Sequence, residues 1–410
     1  MLAIIGGGPA GLSAAIRARE LGANNVHVFE RTPRLGGILN QCIHHGFGVH
    51  VFGEELTGPE YAARLISRAN ELKINFHVNS MVVDLSENKT LTYVSSTEIA
   101  QVQPDALILA TGCRERPRGA IGIPGGRGVG VFTAGTAQMI VNMKGFSIGR
   151  RIVILGSGDI GLIMARRMTL EGAEVLGVYE IAPVAGGLKR NIAQCLEDFD
   201  IPLYLSHTIT RIVGNKRLEG VFVAQVDESY RPVKNTERFI ACDALLLSVG
   251  LLPENELAKK IGIPLSPITG GAIVNNRFET GVSGVFACGN ALHVHDLVDY
   301  VTYESFDAAG FALQNMQGTQ KPGQTVPIQP ADGVRYTVPM AIEWHEGEEY
   351  TLLFRSDRVY KPALIKIIAD DDVIVTRKKR IILPSEMERV KFALKVPPTK
   401  ISVVIGEGTP

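Results

Sequence analysis

Two stretches of this chain, "LAIIGGGPAGLSAAIRARELGANNVHVFER" and "RIVILGSGDIGLIMARRMTLEGAEVLGVYE", are written to one plan. Each runs from a short apolar strand into a glycine-rich turn. A helix-period segment, a Gly-Ala break, a second strand and an acidic residue follow. That succession predicts a βαβ unit, and its occurrence twice commits the chain to parallel sheets covered by helices.

The glycines are placed for close backbone approach. In the first unit Gly6, Gly8 and Gly11 flank Pro9 and Ala10. The first glycine makes the tight turn, the second admits a pyrophosphate to backbone N–H groups, and the third lets the helix pack on the strand. Glu30, followed by Arg31, ends the second strand, where a carboxylate can accept from a ribose. The second unit repeats this with Gly156, Gly158, Asp159, Ile160, Gly161 and Glu180. Gly6 to Glu30 and Gly156 to Glu180 are both separations of 24 positions (30−6 and 180−156). Matching spacing predicts two dinucleotide sites, with a folded but empty second unit as the alternative.

A β-meander pattern follows each unit, in "INFHVNSMVVDLSENKTLTYVSS" and "LYLSHTITRIVGNKRLEGVFVAQV". Each meander leads to a buried strand ending in glycine. The first ends at Ala110, Thr111 and Gly112, the second in "SVG". "GVFACGN" and an apolar helix from Asp299 to Gln317 read as a return to the first domain. Gly318 to Gly333 reads as a Gly/Pro/Gln-rich linker, and only strands follow. The expected fold is α/β: two nested Rossmann-like three-layer dinucleotide-binding domains plus a small C-terminal all-β domain. The first domain takes residues 1–114 and 246–320, the inserted one 115–245, and the β-rich tail 334–410.

Charge narrows the function classes. The 42 basic and 42 acidic residues balance, with a pI near 7.1, which argues against a general nucleic-acid binder. The start runs directly into a strand without a leader pattern, and the apolar runs are too short to span a bilayer. Five scattered cysteines, none in CxxC spacing, argue against a disulfide framework or a tetra-Cys zinc site. These features predict a soluble cytoplasmic protein.

A third signal assigns the nucleotides. "TGVSGVFACGN" resembles the second flavin signature of two-dinucleotide flavoproteins, with Gly289 and with Asn290 where an Asp is usual. Asn keeps a carbonyl acceptor for a ribityl hydroxyl and loses the charge. With these motifs together, Met1 to Gln317 resembles the pyridine-nucleotide–disulfide oxidoreductase superfamily. "GGILNQCIHHGFG" and "CGNALHVHDLVDYVTYE" are similar to flavoprotein subunits of bacterial glycerol-3-phosphate-dehydrogenase-like and opine- or sarcosine-oxidase-like complexes. "VRYTVPMAI" and "RKKRIILPSEMERV" in the tail favour the first of these. The resemblance implies FAD in the outer domain, NAD in the inserted one, and partner redox subunits that handle the organic substrate.

In the disulfide reductases of that superfamily the segment after Gly37 carries two redox cysteines, and here it holds only Cys42, followed by His44 and His45. Without a second thiol no internal disulfide can cycle. Cys42 and His44 remain candidates for lining the flavin, with ordinary packing as the alternative for Cys42. His44, His45, His293 and His295 suggest a metal, yet no Cys or carboxylate cluster completes a ligand set, so none is expected. The "RKKR" run reads as a solvated hairpin. The functional expectation is hydride transfer between NAD(H) and FAD, with electrons relayed to or from a partner. The rivals are a self-contained NADH oxidase or reductase, and a flavin-holding scaffold subunit.

Overall fold

A computed structural model describes residues 1–408. The first βαβ unit is β1 (Leu2–Ile5), α1 (Pro9–Glu20) and β2 (Val26–Phe29). The second is β3 (Arg151–Leu155), α2 (Asp159–Leu170) and β4 (Glu174–Tyr179). The chain divides into two compact units, Arg114–Leu252 forming one, and Met1–Cys113 with everything from Pro253 onward forming the other.

Each unit is built on a five-stranded parallel sheet of the same order. In the first, Val285–Ala287, Ala106–Leu109, β1, β2 and Asn75–His77 lie side by side. In the second the order is Val131–Thr133, Ala244–Leu247, β3, β4 and Leu203–Tyr204. Alternate side chains leave opposite faces of a strand, and both faces are buried here. Leu2 and Ile4 join the helix-side core with Leu12, while Ala3 and Ile5 join Val82 and Leu91 of the meander. The second unit repeats this, Ile152 and Ile154 packing with Leu162, and Val153 and Leu155 with Val221. Helices, sheet and meander make the three layers. Each fully buried aliphatic side chain contributes about 1.5–3 kcal/mol, so a charge at Ile4 or Ile154 would unseat its sheet.

The return helix α3 (Val298–Met316) packs on α1 in the first unit. The tail forms two sheets, of five and three strands, around its own core, which includes Val326, Ile328, Leu352, Phe354, Ile365 and Val403.

Three boundaries differ from the sequence expectation. The crossing back falls at Leu252/Pro253 rather than at 246, because Ala244–Leu247 is an inner strand of the second sheet. The linker ends early: Gln324–Pro330 is a strand, with Val326 and Ile328 buried. Its prolines suggested a loop. They are tolerated where the strand changes neighbours, pairing with Ala341–Trp344 through Pro327 and with Ile401–Val403 beyond it. Finally, the tail, which has its own core, falls within the first compact unit. Its Val338 and Leu353 enter that unit's core. Polar clasps reinforce the docking: Arg277 pairs with Glu343 at 3.2 Å, and Arg355 pairs with Asp296.

Candidate functional site

The first turn leaves a cradle open at the N-terminus of α1. Gly6 has φ +112°, and a Cβ there would lie 2.2 Å from the Ala110 carbonyl oxygen. At Gly11 a Cβ would lie 1.8 Å from the Gly6 oxygen. These two glycines are therefore required by the fold itself. Gly8 is different: a Cβ there meets nothing nearer than the Gly37 Cα, at 3.9 Å. The missing side chain leaves room over the helix start, where free N–H groups and the helix dipole favour an anion.

Several other residues converge on this cradle. Gly37 (φ +55°) would bring a Cβ within 3.0 Å of Gly8, and Gly289 (φ +67°) within 2.7 Å of the Ala10 Cβ. Glu30 is buried, and its carboxylate accepts from Gly7 N at 2.7 Å and from Thr32 N at 2.8 Å. Arg31 is exposed. Thr111 donates to the Glu254 carbonyl at 2.6 Å, and the Gly112 carbonyl accepts from Glu254 N at 3.0 Å.

The inserted unit repeats the geometry. Gly156 has φ +92°, and a Cβ there would sit 2.1 Å from the Ser248 oxygen. At Gly161 a Cβ would lie 2.7 Å from the Ser248 Cβ. Glu180 accepts from Ser157 N at 2.8 Å and from its hydroxyl at 2.7 Å, as Glu30 does from Gly7. Asp159, at the start of α2 beside Gly158 and Ile160, accepts from Leu188 N at 2.8 Å and Asn191 Nδ2 at 2.6 Å. Lys189 and Arg190 are exposed at the start of the short helix Lys189–Cys195.

The Cys42 segment is tied to α3. Asp299, buried, accepts from the backbone N–H groups of Gly48, His50 and Val51 at 3.1, 3.2 and 2.9 Å. Tyr303 donates to the His50 carbonyl at 2.7 Å. Cys42 is partly buried, and its thiol donates to the Ile38 carbonyl at 3.3 Å. Its carbonyl accepts from Gly58 N at 2.8 Å, wedging it against the helix Gly58–Glu71. Burial pushes the thiol up to about 12, so it is a protonated group and a poor nucleophile. His44 packs against Phe47 with ring centroids 5.0 Å apart, and His45 is exposed.

His293 and His295 belong elsewhere, in a buried polar cluster with Glu304. Both imidazole Nε2 atoms approach one Glu304 oxygen, at 2.8 and 3.2 Å. Burial raises the Glu304 carboxyl, but His295 and His293 outweigh that and hold it well below the usual range. Asn290 is bound on both sides, its oxygen accepting from His295 N at 3.1 Å and its amide 3.6 Å from the Cys113 sulfur. An Asp could not donate to that sulfur, which gives the Asn a physical reason.

The two Gly turns are matched, each bonded by a glutamate at the end of the second strand, buried at Glu30 and half-buried at Glu180. The family model for pyridine nucleotide-disulphide oxidoreductases matches residues 1–311. The chain belongs to this family. Pyridine nucleotide-disulphide oxidoreductases use FAD and a pyridine nucleotide, and those are the cofactors of this chain. The open room at Gly8 and the buried Glu30 suit such a group.

The hydrogen cyanide synthase subunit HcnB of Pseudomonas protegens is 27% identical over 281 residues, covering 63% of this chain and 58% of that protein. An opine oxidase subunit of Agrobacterium tumefaciens is 27% identical over 286 residues, covering 64% and 55%. The chain thus spans under two thirds of the length of these relatives. In fold, the thioredoxin reductase of T. acidophilum matches with TM-score 0.62 at 21% identity, over 78% of this chain and 98% of that one. Among the described residues no helix is long and apolar enough to cross a membrane.

Sequence reasoning missed Asp299, Glu304 and Arg355. A signal existed for Glu304. It falls on the apolar stripe of α3 with Val301, Ala308 and Ala312, where a carboxylate must find a partner. Arg355 lies too far along the chain to be paired with Asp296 by spacing.

Proposed function

We propose that this protein exchanges a hydride between NAD(H) and FAD and relays electrons to or from a partner redox subunit, in a glycerol-3-phosphate-dehydrogenase-like complex. The observation that carries this reading is the pairing of two matched cradles with a Gly36–Gly53 segment whose one cysteine, Cys42, has no second thiol beside it in sequence. The bound cofactors supply the two-electron chemistry, and the protein supplies binding, orientation and electrostatics. Gly6, Gly8, Pro9, Ala10, Gly11 and Gly37 would hold the FAD pyrophosphate over the start of α1. Glu30 would accept from the adenosine ribose. Ala110, Thr111, Gly112, Gly289 and Asn290 would border the rest of the flavin. Gly156, Gly158, Asp159, Ile160, Gly161 and Glu180 would hold NAD. The two relatives from Pseudomonas and Agrobacterium are each one component of a larger enzyme by name, which supports a multi-subunit setting.

Anaerobic titration with NADH, followed at the flavin absorbance, tests this. Stoichiometric bleaching with slow reoxidation by O₂ supports it. Fast NADH turnover by the chain alone would favour a self-contained oxidase, and absence of bleaching would favour a scaffold. The tail carries no nucleotide motif and is proposed to dock the partner. Because Arg355 and Arg277 bind it into the first unit, the clean test is charge at exposed tail positions rather than truncation. Val373→Glu with Val396→Glu should abolish co-purification with partner subunits while FAD stays bound; unchanged assembly would refute the docking role.

A further inference from the structure

The cluster at the start of α3 gathers two imidazoles and a carboxylate. His293 is fully buried at 0% exposure and Glu304 at 3%. The rings of His293 and His295 lie with centroids 4.0 Å apart, inclined at 31°. One ligand atom from each of His293, His295 and Glu304 lies within 4.8 Å of the other two. The second Glu304 oxygen is already fixed, accepting from Gly289 N at 2.7 Å.

The hydrogen-bond pattern says what is missing. The His295 Nδ1 lies 3.0 Å from the His293 carbonyl oxygen and 3.3 Å from the Asn290 side-chain oxygen. Both are acceptors, so Nδ1 carries a proton and Nε2 is the ring nitrogen left to face Glu304. That Nε2 is buried and makes no hydrogen bond, although a Glu304 oxygen stands 3.2 Å away. A buried ring nitrogen without an aligned partner is a costly group in a dry pocket. A metal ion asks only that the lone pairs converge. The His293 Nε2 is hydrogen-bonded to the same Glu304 oxygen at 2.8 Å, and its Nδ1 is buried without a partner.

We infer that His293, His295 and Glu304 bind a divalent first-row transition-metal ion. Two imidazole nitrogens and one carboxylate oxygen suit Zn²⁺, Fe²⁺ or Co²⁺, whereas Mg²⁺ and Ca²⁺ favour all-oxygen sets. Three protein ligands leave a fourth tetrahedral position open. The His293 carbonyl and the Asn290 oxygen hold the His295 tautomer from behind, the outer support that ligating histidines usually receive. Arg355 does not block the site, because its charge is engaged by Asp296, and it also donates to the Val294 carbonyl at 3.3 Å. The ion would staple the 292–297 loop to α3, next to Asn290.

The test uses the full chain, prepared without a polyhistidine tag. Elemental analysis should find about one equivalent of a transition ion per chain. Dipicolinate should remove it, and Zn²⁺ should restore the melting temperature, as ligand linkage requires. Co²⁺ added to the stripped protein should give visible d–d absorption. Glu304→Gln and His295→Gln should each abolish retention of metal and the Zn²⁺-dependent rise. If either variant misfolds, the wild-type stripping and Co²⁺ measurements still decide. Under about one tenth of an equivalent as purified, with no response to Zn²⁺ or Co²⁺, would overturn the inference. Metal retained equally by both folded variants would overturn it as well.

Discussion

The two nucleotide units share a sheet order, a left-handed first glycine and a glutamate bonded to the second turn residue. They part company at their helix starts. In the first unit α1 begins at Pro9, with no acidic residue in its first turn, and Gly8 has open space beside it. In the second, Asp159 opens α2, and a Cβ on Gly158 would meet the Ser248 hydroxyl at 3.1 Å. The edge strands differ too. The helix Ala134–Lys144 that follows the second unit's edge strand is met by the Glu115 carboxylate, which accepts from Gly135 N at 2.8 Å. In the first unit the corresponding helix, α3, carries its own acid, Asp299, in its first turn instead. The first unit is thus open beside Gly8, whereas in the second the Ser248 hydroxyl stands close to the corresponding Gly158. Copying a βαβ frame preserves turn geometry, while the side chains around it settle how large a ligand is admitted.

The sharpest way to break this comparison is to block one turn at a time. Gly156→Ala should keep flavin bound and lower NADH-driven flavin reduction by about a hundredfold or more, roughly 2.7 kcal/mol of barrier. Gly6→Ala should instead yield protein without flavin. If both variants lose flavin equally, the division of labour between the units fails.

A smaller effect sharpens the nucleotide choice. Glu180 should favour NADH over NADPH by on the order of 10- to 100-fold, because a 2′-phosphate would face its carboxylate. "IAP" after it offers no arginine; the exposed Lys189 and Arg190 lie further along. Stopped-flow reduction by both nucleotides checks this, and the preference should collapse in Glu180→Ala. Equal efficiency in the wild type would refute the assignment.

Asp299 binds backbone of the first unit only, so its loss should disturb that unit alone. Asp299→Asn should lower stability by about 1–3 kcal/mol in urea unfolding, since three backbone donors lose a charged acceptor. Limited proteolysis should then cut between Gly48 and Gly53. Resistance equal to wild type would show that the segment is held by other contacts.

The smallest effect is expected at Cys42. Cys42→Ser should change NADH-driven flavin reduction by less than about threefold, well under 1 kcal/mol. The sign of its pH effect follows from burial. In the unfolded chain the thiol ionises in the usual range, while the folded one keeps its proton to about 12. Stability from this group is therefore complete below the usual range and lost as pH rises between the two. Urea midpoints measured through that window should fall less steeply in Cys42→Ser, and iodoacetamide should label Cys42 only on unfolding. A hundredfold loss of reduction with FAD bound would make Cys42 catalytic.

The frame was legible because its constraints are local. A turn at φ +112° accepts glycine almost alone, so Gly6 and Gly156 mark themselves in the sequence, and strands buried on both faces read as unbroken apolar runs. What escaped depended on partners distant in sequence. Gln324–Pro330 reads as a loop until Ile401–Val403 arrives to pair with it. His293 and His295 lacked a carboxylate until helical periodicity put Glu304 beneath them. The Asp296–Arg355 clasp joins residues that no motif spacing connects.

The origin of the edge strands sets a timetable for synthesis. The inserted unit draws its edge strand, Val131–Thr133, from chain made before its β3, and its sheet has every strand once Leu247 has emerged. The outer unit starts first but waits for Val285–Ala287, and its cradle lacks Gly289 and Asn290 until then. On the ribosome the usual N-terminal-first order is therefore inverted, and the nascent first half must stay competent, with an unpaired edge at Ala106–Leu109, while its guest folds. Flavin capture becomes a late event. Truncated nascent chains ending shortly before Val285 should resist protease across Arg114–Leu252 and remain cleavable before Cys113; protection of both regions at that length would contradict this order.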